Sequence, residues 1–366
     1  MVVMALDHSR DFIGGFGRNP TDLSTTNYFL FFTRFITHFC APVFVLLAGT
    51  GAYLSRARKS QRELARFLVT RGLWLVLLEV TVVRTGWILN VNYKFAVFQV
   101  IWAIGWSMVA LAALVFLPTV LVGVFGVLMI VLHNLLDVAK AADFDNLSWL
   151  WKILHEQGQL HPTPDRMIML AYPLIPWIGV MAAGYAFGAY LAVEPALRRR
   201  RLFLLGGALT LAFVILRASN LYGDPTPWTS QPRGAGFTFL SFLNCQKYPP
   251  SLCYLLMTLG PSLLALGALE RPLNGVTRVF QIFGRVPLFY YLLHLYMLHL
   301  VSFVFIAPQF IRDAAFRAQF LQRGTPNYGL PVTYAVWLTA VALLYPLCKK
   351  YAAFKQRSRA TWVSYL

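Results

Sequence analysis

Asp7, His8, Arg10 and Asp11 stand together in the run MALDHSRDF near the start of the chain. A neutral imidazole titrates near pH 6.5 and can take a proton from an acceptor at neutrality. A carboxylate beside it can hold its tautomer and stabilise the imidazolium. A guanidinium can meet a developing oxyanion. Related pairs recur along the chain. Arg34 and His38 are four residues apart, as are His133 and Asp137, and Tyr290 and His294. On a helix that spacing places both members on one face. Glu79 and Arg84 lie within one apolar stretch. Any single pair can be a helix-to-helix hydrogen bond that fixes packing. Several such pairs at similar depth point instead to a polar cavity.

These residues sit in a chain built for lipid. Of its 366 residues 58% are hydrophobic, 15% aromatic and only 13% charged, and the mean hydropathy is +0.59. A soluble domain carries about a quarter charged residues. The expected fold is therefore all-α: one polytopic transmembrane helical bundle over residues 1–366, with about nine full spans of ~20 residues each. The candidate spans are 29–54, 64–90, 95–117, 119–138, 167–193, 201–218, 250–269, 287–308 and 330–349. Residues 1–8 form a stub of a further, truncated first helix, reading as the outer end of a helix whose beginning is missing. No cleavable signal peptide is visible.

The formal net charge is +18. Basic clusters follow the span 29–54 (Arg56, Arg58, Lys59, Arg62, Arg66), follow 167–193 (Arg198 to Arg201) and end the chain (Lys349, Lys350, Lys355, Arg357, Arg359). Alternating the spans puts all of these on one face, with Arg271 and Arg278. By the positive-inside rule that face and the C-terminus are cytoplasmic. In this reading the basic charge serves the membrane, and nucleic acid is not the partner. The opposite face receives the long connections 139–166 and 219–249. Six of the seven histidines lie at or beyond the outer half, and His38 lies at intermediate depth.

Aromatic residues such as Tyr172, Trp177, Trp228 and Tyr248 near the outer boundary read either as an interfacial belt or as a stacking platform for a sugar ring. Pro173 and Pro176 kink or start a helix, and Pro249 and Pro250 suit a first turn. The run GRVP at 284–287 marks a broken helix entry on the cytoplasmic side, where Arg285 either meets phosphates or anchors the helix. Cys40, Cys245, Cys253 and Cys348 form no CxxC pair and read as small packed residues. Walker, HExxH and GxSxG motifs are absent, which argues against ATP-driven transport, zinc proteolysis and a serine elbow. No metal site is expected.

The strings MALDHSRDF and RFITHFCAPVFVLLAGTGAYL, then FQVIWAIGWSM, YPLIPWIGVMAAGYAFG, LRASNLYGDPTPW, SFLNCQKYPPSLCYLLMTLGP and FGRVPLFYYLLHL, resemble the heparan-alpha-glucosaminide N-acetyltransferase catalytic-domain family. The likeness is to its bacterial membrane branch and covers nearly the whole chain. It implies an acyl group, usually acetyl, taken from acetyl-CoA or another acyl-CoA on the cytoplasmic side and delivered to a sugar amine or hydroxyl outside. It implies His8 as the catalytic residue, with Asp7 or Asp11 beside it, and His38 as second choice. The chain departs from the pattern in three places. Residues 13–28, where the glucosaminide enzymes carry their histidine, contain none. Asp7 stands where those enzymes have an asparagine, and His38 where they have an aspartate.

The leading expectation is an integral membrane acyltransferase acting on an extracytoplasmic sugar or glycan. Arg10, Asp11, Arg34, Asn220, Asp224, Trp228, Asn244, Lys247, Tyr248 and His294 are its candidate substrate-binding residues, and Arg285 its candidate donor-binding residue. Membrane lipid is a partner, and an oligomer is compatible with the sequence. The rival expectations are a small-molecule transporter or flippase, and a non-catalytic membrane protein that retains the fold.

Overall fold

The computed structural model describes residues 1–15, 19–313 and 327–358, with 360, 363 and 365 beyond them. The chain begins with α1 (Val2–Ile13), α2 (Tyr28–His38), α3 (Cys40–Ser55) and α4 (Gln61–Leu78). A π turn over Glu79–Val83 leads into α5 (Arg84–Ile88), then β1 (Phe95–Phe98), α6 (Val100–Leu114) and α7 (Thr119–Leu132). After two 3-10 turns come α8 (Ser148–Leu154), β2 (Gly158–Thr163), β3 (Arg166–Leu170), α9 (Leu174–Tyr190) and α10 (Pro195–Ser219). The chain continues with α11 (Ala235–Leu243), α12 (Leu252–Leu269), α13 (Gly275–Arg285), α14 (Pro287–Arg312) and α15 (Gly329–Arg357).

The protein is mostly helical. Among the described residues, six helical stretches are long and apolar enough to cross a membrane: Tyr28–Arg58, Thr119–Val138, Pro195–Ser219, Leu252–Leu269, Pro287–Arg312 and Gly329–Arg357. Length and apolarity thus support six of the expected nine spans. The stretch 64–90 is helical, but it is broken by the π turn and carries Arg66, Arg71, Glu79 and Arg84. The stretches 95–117 and 167–193 open as strands, so their helices α6 and α9 are shorter than a full span.

The strands are a feature that the all-α expectation lacked. They form one sheet in the order β1-β3-β2. β1 runs parallel to β3 with Phe95 opposite Met167, and β2 runs antiparallel with Gly158 opposite Leu170. Apolar runs of four or five residues cannot be told from a helix start by periodicity alone, so the period that revealed the spans concealed the strands. Basic residues also move from linkers into helices. Arg198 to Arg201 lie in the first turns of α10, and Lys349, Lys350, Lys355 and Arg357 lie in the second half of α15. Arg359 lies outside the described residues. Pro173 caps α9 with Pro176 in its first turn, whereas Pro249 and Pro250 precede α12, whose cap is the Ser251 hydroxyl.

The chain divides into two compact units. One comprises Met1–Cys40, Val82–Leu89 and Pro272–Leu366. In it α1 packs on α15, α14 and α2, while α5 packs on α14. Specific bonds hold these helices in register. The Trp337 indole donates to the Val2 carbonyl at 2.8 Å, and the Tyr296 hydroxyl to the Val82 carbonyl at 2.7 Å. The Thr33 and Tyr334 hydroxyls meet at 2.8 Å. The turn before α2 is tied by Asp22, whose carboxylate accepts from the Ser24 amide (3.0 Å), the Ser24 hydroxyl (2.7 Å) and the Thr25 hydroxyl (3.0 Å).

The other unit comprises Ala41–Thr81 and Asn90–Arg271, with α4 on α6, α7 on α9 and α10 on α12 as its closest pairings. Lipid tails are as apolar as leucine, so membrane helices associate through close packing across small residues. Gly49 of α3 and Gly184 of α9 show this. A Cβ on Gly49 would stand 2.1 Å from the Met181 carbonyl oxygen, and one on Gly184 would stand 2.2 Å from that of Leu46. The backbones touch where side chains would otherwise stand.

Gly184→Ala forces the backbones apart, at a cost of about 1–3 kcal/mol for overpacking. Its melting temperature in detergent falls below that of Gly207→Ala, where an added Cβ meets nothing within 4 Å. For the turn, the hydroxyl and amide of Ser24, followed by the Thr25 hydroxyl, hold the Asp22 carboxyl below its usual range. A depressed folded-state pKa stabilises at pH above the unfolded value of about 3.9 and loses that contribution as pH falls through the folded value. Limited proteolysis of residues 19–27 therefore speeds up on acidification below about pH 4, and Asp22→Asn is cleaved at a rate flat across that range.

Candidate functional site

α1 presents Asp7, His8, Arg10 and Asp11 on consecutive turns. His8 Nδ1 stands 2.6 Å from His294 Nε2 on α14, and the two rings stack with centroids 4.9 Å apart. Two imidazoles nearly three hundred residues apart in sequence thus form one dyad. His294 has no exposed surface, and its Nδ1 lies 3.0 Å from the Tyr290 carbonyl one turn back. Its ring lies flat on the Tyr290 ring, with centroids 5.2 Å apart and planes at 6°.

Aromatic edges enclose the dyad. Trp87 of α5 meets His8 edge-on at 4.9 Å, and Tyr291 meets it at 6.1 Å. Phe12, one turn beyond His8, stacks on Trp87 at 5.0 Å and contacts His299 at the same distance. The His299 Nδ1 in turn lies 2.9 Å from the Gly86 carbonyl, which fixes α5 against α14.

A charge cluster adjoins the dyad through Asp7. Arg34 of α2 is ion-paired to one Asp7 oxygen. Arg10 donates to the other at 3.0 Å and to Asp11 at 2.7 Å. Two guanidiniums and two carboxylates therefore balance within one patch, and Arg10 is almost wholly buried. Buried pairs persist only when attraction and hydrogen bonds offset the loss of water, so the patch positions α1 on α2 as much as it charges the site. His38, one turn past Arg34, is buried, with its ring 6.4 Å from that of Phe35. The imidazole that meets His8 is thus His294. Arg285 is exposed at the C-terminal end of α13, at the break before α14.

The other unit holds the remaining sequence candidates in the segment between α10 and α12. Arg217, buried at the end of α10, donates to the carbonyls of Phe242 (2.9 Å), Thr226 (2.8 Å), Ser241 (3.1 Å) and Asn244 (3.1 Å). Asp224, 3.6 Å from Arg217, accepts from the Thr226 amide (3.0 Å), the Gln246 amide (2.9 Å) and the Ser251 hydroxyl (2.7 Å). Asn220 is spent on both backbone groups of Trp228, donating at 2.9 Å and accepting at 3.1 Å. Burial, and then the Asp224 carboxylate, push the Cys245 thiol well above its ordinary value. This segment is folded by its own polar groups. The Tyr248 ring stands edge-on to Tyr172 at 5.2 Å, and the Lys247 ammonium lies 5.1 Å from the Tyr248 ring centroid.

Two further polar groups act within this unit. Glu79 accepts from the Gln99 amide (3.0 Å) and the Trp102 amide (3.3 Å), so a buried carboxylate caps the N-terminus of α6. Asp137 accepts from Asn134 (2.8 Å) and lies 2.9 Å from His155 Nε2, while the Asn134 oxygen accepts from the Leu252 amide. No cluster of metal-ligating side chains occurs among the described residues.

The residues missed from sequence are Trp87 and the partnership of His294 with His8. The only signals were the i, i+4 spacing of Tyr290 and His294 and a tryptophan in a polar-flanked stretch.

The fold is that of a polytopic helical integral membrane protein. The profile for the heparan-alpha-glucosaminide N-acetyltransferase catalytic domain matches residues 1–218, and the chain belongs to that family of membrane acetyltransferases. The match includes α1, α2 and α5 with Asp7, His8, Arg34 and Trp87, and it stops short of α14. No curated protein and no solved structure matches the chain.

Arg34→Gln removes one of the cations that meet the largely buried carboxylate of Asp7. Breaking a buried pair costs about 3–5 kcal/mol, more than removing both partners. The expected result is a melting temperature lower for Arg34→Gln than for the Asp7→Asn/Arg34→Gln double variant, read from thermal melts in detergent as a double-mutant cycle.

Proposed function

We propose that the protein is an acyltransferase that moves an acyl group, chiefly acetyl, from acyl-CoA to a hydroxyl or amine of an extracytoplasmic sugar or glycan. The observation that carries this reading is the His8–His294 dyad, in a family of acetyltransferases, set beside a balanced Asp–Arg cluster.

In this reading His8 acts as general base. It takes the proton from the acceptor O–H or N–H as that atom bonds to the thioester carbonyl carbon. The carbon–sulfur bond breaks, and the departing thiolate of coenzyme A takes the proton back from His8. Arg10 and Arg34 supply the cations beside the developing oxyanion. Arg285 takes the phosphates of the donor. The basic helix ends face the cytoplasm of a bacterial inner membrane, by the positive-inside rule. A base in this position contributes about 10²–10⁴-fold in rate.

The test uses purified protein in lipid supplied with labelled acetyl-CoA. Wild-type protein is expected to consume the donor, and His8→Ala to lose at least about 100-fold of that rate with its melting temperature retained. His38→Gln is expected to keep most of it. If wild-type protein in several lipids neither binds nor consumes acetyl-CoA, the reading fails.

A further inference from the structure

We infer that His294 is a positioning residue that sets the tautomer of His8, so that Nε2 of His8 is the nitrogen that accepts the proton. The inference deepens the acyltransferase reading and rests on it for its catalytic meaning. The arrangement of protons stands on geometry alone.

The proton arrangement is anchored at a backbone carbonyl. The Tyr290 carbonyl can only accept, so the His294 Nδ1 3.0 Å away carries the hydrogen. His294 has no exposed surface inside a membrane-spanning helix. An imidazolium is costly to bury there, so the ring is neutral and has a single N–H. That hydrogen is already on Nδ1, which leaves a lone pair on Nε2. The 2.6 Å contact to His8 then has one solution: His8 Nδ1 donates and His294 Nε2 accepts. A neutral His8 that donates from Nδ1 has its lone pair on Nε2.

The relay therefore runs from His8 Nδ1–H to His294 Nε2, and from His294 Nδ1–H to the Tyr290 carbonyl. It does for His8 what a carboxylate does in a Ser-His-Asp triad, where the partner of one ring nitrogen selects the state of the other. A neutral imidazole in that place stabilises an imidazolium less than a carboxylate does. It also adds no charge to a buried position, where charge is expensive. The Tyr290 ring against one face of His294 and the Tyr291 ring at its edge hold the ring plane that the relay needs. Without an acceptor at Nδ1, His8 is free to move its hydrogen to Nε2, the tautomer that a solvated imidazole favours, and the base points its N–H at the acceptor.

The experiment is ¹⁵N NMR of histidine-labelled protein in detergent, with His8→Ala used to assign the His8 signals. Neutral wild-type His8 is expected to show an unprotonated Nε2 and a protonated Nδ1. His294→Phe is expected to shift His8 towards Nε2–H and to lower the turnover of acetyl-CoA about 100-fold with KM little changed. His294→Gln, whose amide oxygen can accept from His8 Nδ1, is expected to recover part of both signals. A protonated Nε2 on neutral wild-type His8 overturns the inference whether or not the protein is active, and whether or not the variants fold. Loss of acetyl-CoA turnover in wild-type protein with Nε2 unprotonated overturns the acyltransferase reading and leaves the tautomer standing.

Discussion

A charge carried into a lipid-embedded bundle costs several kcal/mol unless another group meets it, and the pairing of such groups organises this protein. Asp7, Arg10, Asp11 and Arg34 pair with one another and so tie α1 to α2. In the other unit, Arg217 and Asp224 gather seven backbone and hydroxyl groups and thereby fold the segment that joins α10 to α12. Glu79 solves a related problem by capping a helix, where its carboxyl oxygens accept from otherwise unsatisfied amides. Ionic groups in these helices are thus structural before they are chemical.

The Arg217–Asp224 segment and the His8–His294 dyad use their polar groups differently. The Arg217–Asp224 segment uses its polar atoms inwardly, on its own backbone. The dyad of His8 and His294 is different, because two imidazoles from separate helices face each other beside the rings of Trp87, Tyr290 and Tyr291. A low local dielectric strengthens the polar contacts of a buried group such as His294. In the proposed reading, a base oriented through His294 avoids the penalty that a buried carboxylate would bring, and that orientation traces to the Tyr290 carbonyl.

Close packing supplies the rigidity that such a site needs. The contact of Gly49 with Gly184 brings helix backbones together without intervening side chains. The hydroxyl and indole donors of Thr33, Tyr296 and Trp337 do the same work in the unit that carries the dyad. Directional bonds of this kind fix helix rotation, which apolar contact in a bilayer leaves loosely specified.

The class of fold was legible from the linear order of residues because lipid demands about twenty apolar residues for each crossing, and helical stretches such as Thr119–Val138 and Leu252–Leu269 meet that demand visibly. His8 with Asp7, and the face shared by Tyr290 and His294, were legible for a similar reason: helical spacing is local. The strands at 95–98 and 166–170 were hidden, since short apolar runs look alike in either conformation. What the sequence alone determined is a membrane-embedded helical chain with titratable groups on particular helix faces. Only the tertiary structure decided that His8 meets His294, that Arg34 meets Asp7, and that Asn220 and Asp224 turn inward to their own loop. The physical reason is that pairing across hundreds of residues depends on helix rotation and depth, and these are set by the packing of the whole unit and not by any local pattern.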